Sequence, residues 1–104
     1  MEQLNRIELK GRVGLIKIVN VGDTHVARFS LATCHIYLNR KGEAVNEVTW
    51  HNVTAWHSDT LSLEGLEKSA FVHIIGRIRN QRYTAPDGSE RTFCEVLAQN
   101  LKVL

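Results

Sequence analysis

The chain has 104 residues, 43% of them hydrophobic, which is enough for one folded domain and too apolar for wholesale disorder. Thirteen Lys and Arg against eleven Asp and Glu leave a formal charge of only +2, so the sum does not announce a nucleic-acid binder and the distribution has to be read instead. There is no run of about 18 apolar residues, which argues against a transmembrane helix, and Met1-Glu2-Gln3-Leu4-Asn5-Arg6 lacks the apolar segment of a secretory signal.

Period-two alternation dominates, the mark of half-buried strands. In the opening run Ile7, Leu9, Val13 and Leu15 are apolar with Glu8, Lys10 and Arg12 between them. Gly11 and Gly14 interrupt it, as at a bulge or a barrel corner. After the turn residues Gly22-Asp23, a second strand alternates Ala27, Phe29 and Leu31 with Val26, Arg28 and Ser30. Asn39-Arg40-Lys41-Gly42 is a turn, basic at its tip, into a third strand over about 47–56. Ser58-Asp59-Thr60 then offers N-cap candidates for a short helix carrying Leu61, Leu63 and Leu66, weakened by Gly65. A fourth strand covers about 70–79. The turn Ala85-Pro86-Asp87-Gly88-Ser89 leads to a fifth over about 91–103.

Five strands with one short helix between the third and fourth predict an all-β, five-stranded Greek-key barrel, the OB-fold, as a single nucleic-acid-binding domain over 1–104. Small SH3-like barrels place their helix differently. In an OB-fold, ligands lie on the face of strands two and three and on the loops joining strands one to two and four to five. Phe29, Phe71 and Phe93 sit in alternating patterns and are expected in the core.

The third strand carries the most functional information. Alternation puts Trp50, Asn52, Thr54 and Trp56 on one face and His51, Val53 and Ala55 on the other. The second set makes the better core face. Large aromatics among polar neighbours suit stacking on flat ligands such as nucleobases. The alternative is that the indoles cap a barrel end or fill a subunit interface. Tyr37 lies beside Arg40 and Lys41, and Tyr83 is flanked by Arg79 and Arg82, with Arg77 and Arg91 nearby. Single strands are held by stacking together with phosphate contacts, so Trp50, Trp56, Tyr37, Tyr83, Arg79, Arg82, Arg40, Lys41 and Arg77 are the candidate binding residues. Lys10, Lys17 and Lys68 read as solvated charges.

Catalysis is not expected. Cys34 and His35 are adjacent and point to opposite faces of an extended strand, and no C-x-x-C or H-x-x-x-H spacing appears among the two cysteines and five histidines. No Gly-rich phosphate loop is present. The sequence implies no metal, no cofactor and no membrane partner. Two isolated cysteines without a signal segment fit a reducing, cytoplasmic setting.

Taken in order, Asn5-Arg6-Ile7 and Gly11, Phe29-Ser30-Leu31-Ala32-Thr33, Thr49-Trp50-His51-Asn52-Val53, Gly76-Arg77-Ile78-Arg79 and Glu95-Val96 resemble the bacterial single-stranded DNA-binding protein family over nearly the whole chain. The resemblance implies an OB-fold homotetramer that wraps single-stranded DNA without sequence preference in replication, recombination or repair. It implies that Trp50 and Trp56 fall on stacking positions held by Trp and Phe in the family, and Tyr37 and Tyr83 on positions often held by Trp. By the same resemblance His51 is a subunit-interface histidine and Arg79 a basic residue of the DNA-contacting loop. Asn52 stands where the family commonly has Arg. The family's polar linker and acidic tail have no counterpart before Leu104, so tail-mediated partner recruitment is not expected. A dimeric factor similar to primosomal replication protein N, or an OB-fold protein–protein interaction subunit, is the alternative.

Overall fold

The computed structural model describes residues 1–104. Five strands, β1 (Ile7–Val21), β2 (Thr24–Leu38), β3 (Ala44–Trp56), β4 (Phe71–Thr84) and β5 (Glu90–Val103), close a barrel in the order β1-β2-β3-β5-β4. All pairs are antiparallel except β3 with β5, which run parallel through Val53 beside Val96 and Thr54 beside Leu97. This is the OB-fold barrel that the strand pattern predicts. No helix of the structure is long and apolar enough to cross a membrane.

Closure depends on β1 serving two neighbours. Its first half, Ile7 to Arg12, pairs with β4, and its second half, from Arg12 to Val21, pairs with β2. The changeover needs a residue without a side chain. A β-carbon on Gly11 would lie 2.2 Å from the Ala32 carbonyl oxygen, inside contact distance of backbone that cannot yield. Just beyond, the register shifts between Val13 and Ile16, a bulge that contains Gly14. The extra residue breaks the alternation, so Leu15, which the pattern groups with the apolar positions, stands 76% exposed. Ahead of β1, Asn5 holds the chain to β4 by donating its side-chain amide to the Ile78 carbonyl and accepting the Ile78 N–H.

The barrel interior holds Val13, Ala27, Phe29, Leu31, Val53, Ala55, Val72, Ile74, Val96 and Ala98, drawn from all five strands. The predicted helix over the segment after β3 does not form. Residues 57–70 are a looped plug with an isolated bridge between Ser58 and Leu61 and single turns closed by Leu66 N–H to Leu63 O and Ala70 N–H to Glu67 O. Gly65 at φ 78° and Ser69 at φ 74° are both left-handed, which interrupts any helix through them. The three leucines do different work from a helix stripe: Leu61, Leu63 and Leu66 all point into the core and close one end of the barrel. Phe71 and Phe93 are corrected as well. They are 37% and 39% exposed, because each falls on the outward side of its strand, and only Phe29 is a core phenylalanine.

Truncating Leu66 to Ala removes buried surface and leaves a cavity at the barrel end. Urea unfolding is expected to show a loss of about 2–4 kcal/mol, against a change within about 0.5 kcal/mol for Glu64→Ala on the same exposed loop.

Candidate nucleic-acid interface

The ladder between β2 and β3 runs without a break from Val26 opposite Trp56 to Leu38 opposite Ala44. Residues facing each other across antiparallel strands share a sheet face, so burial of Phe29 with Val53 and Ala27 with Ala55 inside the barrel turns the intervening pairs outward. The outward rungs are Val26 with Trp56, Arg28 with Thr54, Ser30 with Asn52 and Ala32 with Trp50. Trp50 is 61% and Trp56 38% exposed, one at each end of this row. The split of β3 into a core face and an aromatic-polar face therefore holds. Within these rungs Val26 and Thr54 are buried beneath their neighbours.

Between the tryptophans lies a groove of about 630 Å³ walled by Leu15, Lys17 and Arg28 on one side and by Arg79, Gln81 and Phe93 on the other. At its floor Glu95 of β5 ties three strands together. Its Oε2 accepts the Thr54 hydroxyl at 2.9 Å, and its Oε1 accepts Gln81 Nε2 at 2.9 Å and the Arg79 Nε–H. Burial by itself raises the Glu95 carboxyl, but the hydrogen bonds from Gln81, Arg79 and Thr54 and the Arg79 charge outweigh it and hold it below its usual value. Arg79 is thus a paired residue on the groove wall and not a free cation.

The opposite wall carries two unpaired cations side by side. Lys17 on β1 lies directly across from Arg28 on β2, and neither belongs to any ion pair of the structure. Like charges placed opposite each other on neighbouring strands repel, so the pair is at its most stable with an anion between them. Sequence reading missed both. Lys17 looked solvated because the bulge that turns this part of β1 toward the groove cannot be placed from alternation alone. Arg28 was read only as a polar spacer. Glu95 falls in a family block, but nothing in the sequence pairs it or Gln81 with Arg79, since only the register of β4 against β5 brings the three together.

The remaining predicted residues are distributed more widely. Arg82 borders the groove, whereas Arg77 is exposed on β4 outside it. Tyr83 packs edge-on against Phe93, ring centres 5.8 Å apart, and so joins the groove wall through that ring. Arg40 and Lys41 are exposed at the tip of the β2–β3 hairpin, shaped by Asn39 Oδ1 accepting the Lys41 and Glu43 N–H groups. Tyr37, opposite Val45 and 6.0 Å from the His35 ring, is on the reverse face of the hairpin from Trp50. His51 is on that reverse face too, half-buried, its Nε2 2.9 Å from the Thr33 hydroxyl. Burial holds its imidazole below the usual value, favouring the neutral form. Arg91 is drawn to Asp87 at 3.6 Å. No group of three or more His, Cys, Asp or Glu side chains is placed to hold a metal ion.

The family model of the single-strand binding protein family matches residues 4–104. A single-stranded DNA-binding protein of Neisseria meningitidis is 32% identical over 97% of this chain, and the chain spans 60% of that relative's length. Single-stranded DNA-binding protein 2 of Chlorobaculum tepidum is 26% identical over the whole chain and 73% of its own length. Among solved structures, the Plasmodium falciparum SSB in complex with ssDNA superposes with a TM-score of 0.81 at 29% identity, covering 100% of this chain and 97% of that one. The single-stranded DNA-binding protein from Thermus aquaticus, at 18% identity and a TM-score of 0.74, covers 97% of this chain and 50% of that one and shares the fold.

The Glu95 clamp makes a pH-dependent prediction. A carboxyl held below its unfolded value stabilises the fold above that value, and the contribution is lost as pH falls through the folded value. Glu95→Gln is expected to cost about 1–3 kcal/mol in urea unfolding at neutral pH, because it removes the charge that pairs with Arg79 and turns one of the two accepting oxygens into an NH2 donor facing a donor. The gap between the two proteins should narrow as the pH is lowered to about 3.

Proposed function

As a member of the single-strand binding protein family, this chain, we propose, binds single-stranded DNA without sequence preference, stacking bases on exposed indoles and holding phosphates with cations along one groove. The observation that carries this reading is the row of outward rungs: Trp50 and Trp56 at the ends, and the unpaired Lys17–Arg28 rung between them. The two tryptophans are six positions apart on one strand, roughly 20 Å, so no single base reaches both and each holds its own. The intervening backbone then passes the cationic rung, where an anion relieves the repulsion between Lys17 and Arg28. Stacking tolerates any base, because every base has a π-face, and it contributes about 1–3 kcal/mol each.

Arg82, Tyr83 with Phe93, and the free Nη groups of Arg79 extend the same track on the far wall. Arg40 and Lys41 meet a strand that continues along the β2–β3 hairpin, and Arg77 one that continues past β4. Tyr37, on the reverse of that hairpin, is reached only by a strand that wraps around it. Such wrapping fits assembly with further copies of the chain, a homotetramer, through the face that bears His51. The protein acts as a binding module in the cytoplasm and not as an enzyme, with replication, recombination and repair as its setting.

Titration with oligo-dT is expected to quench the tryptophan fluorescence strongly, and an unchanged signal at low salt would overturn the reading. Trp50→Ala and Trp56→Ala should each weaken binding by about 1–3 kcal/mol. Affinity should fall as salt rises, and Arg28→Ala should flatten that dependence by about 0.7 in the log–log slope, the share of one phosphate contact on a single strand.

A further inference from the structure

Trp50 reaches further across the sheet than its own strand requires. Its register partner on β2 is Ala32, and β2 separates β3 from β1. Yet the six-membered edge of its indole ends against Gly14 on β1. A β-carbon added there would lie 2.5 Å from Ser30 Oγ, 2.7 Å from Trp50 Cζ3 and 3.3 Å from Trp50 Cη2. Neighbouring strands are about 4.8 Å apart, so the side chain meets β1 only by reaching over β2. The positions it crosses are small: Ala32 and Ser30 on β2, then Gly14 on β1. The Ser30 hydroxyl accepts the Leu15 N–H at 3.0 Å, which fixes that side chain beneath the ring's far edge. Gly14 is not among the glycines with left-handed backbone, so space above it, and not its φ, is what calls for glycine. With 61% of Trp50 still exposed, one broad face of the ring remains open.

We infer that Gly14, Ser30 and Ala32 form a seat that lays the Trp50 indole flat on the sheet, and that Gly14 is a positioning residue for base stacking. The inference rests on the single-strand reading above. An indole free to rotate must be ordered each time a base stacks on it. A seated ring has already lost that freedom, so more of the stacking energy appears as affinity. The bulge in β1 therefore does two things. It turns Lys17 toward the groove wall, and it puts the one residue with no side chain where the ring ends.

The test uses a Trp56→Phe background, so that Trp50 alone reports in the tryptophan signals, and reads affinity from the anisotropy of labelled oligo-dT. Gly14→Ala is expected to weaken the near-UV circular dichroism of Trp50 and shift its emission to the red without DNA present. Affinity should fall about five-fold or more, the lower end of one stacked base. With Trp50→Phe also in place, Cζ3 and Cη2 are gone, and Gly14→Ala should then cost less than about two-fold. Ala32→Val adds bulk under the ring away from the bulge and should reproduce the spectral change and the loss, which keeps the test open if Gly14→Ala does not fold. Unchanged Trp50 spectra in both variants, or an equal loss with Trp50→Phe in place, overturns the seat. If wild-type protein does not bind oligo-dT but the spectra still move, the single-strand reading falls and the seat stands.

Discussion

Burial of Val53 and Ala55 inside the barrel decides where the tryptophans go. A strand sends successive side chains to opposite faces, and these two residues are within 2% of complete burial against Phe29 and Ala27. A one-residue slip in the β2–β3 register would put Trp50 and Trp56 into an interior lined with alanine and valine, which has no room for them. The same constraint that packs the core therefore holds the aromatic row on the surface. The hydrophobic effect supplies the force, and the pleat supplies the direction.

Two devices make that surface into a groove. Glycines let the strands turn: Gly11 and Gly76 each sit where a β-carbon would strike a carbonyl oxygen of a neighbouring strand, at 2.2 Å and 2.1 Å. They let β1 come close against β2 and β4 against β5, so that five strands can close. Glu95 then binds β3, β4 and β5 across the floor through Thr54, Gln81 and Arg79. A carboxylate at the bottom of a groove proposed to hold phosphates is tolerable because Arg79 and the hydrogen bonds satisfy it, and because the uncompensated cations, Lys17 and Arg28, line the opposite wall. The floor is near-neutral, and the positive potential comes from Lys17 and Arg28 on one wall and Arg82 on the other.

Much of the fold was legible because it depends on local periodicity. Alternation located every strand, and Pro86-Asp87-Gly88 and Gly22-Asp23 marked two of the turns. Strand ends were read short, because the hairpin arms project beyond the core and their residues need not alternate in polarity. The plug after β3 reads as a short helix weakened by Gly65, and it is none, because Gly65 and also Ser69, which gives no such signal, take left-handed backbone. Leu15 and Phe93 were assigned by hydrophobicity, yet a bulge turned one outward and the outer face of β5 carried the other.

By itself the sequence determined the barrel class, the core face of β3 and the outward placing of Trp50 and Trp56, since each follows from a two-residue period and the need to bury the small apolar set. It also carried the family blocks. Only the tertiary structure decided which charges meet. Arg79, prominent in the sequence, is neutralised by Glu95, while Lys17 and Arg28, inconspicuous there, face each other unpaired. Tyr37 likewise falls on the reverse face of its hairpin. Pairing across strands depends on register, on the β1 bulge and on barrel closure. These bring together residues 11 to 41 positions apart, a separation over which local pattern holds no information.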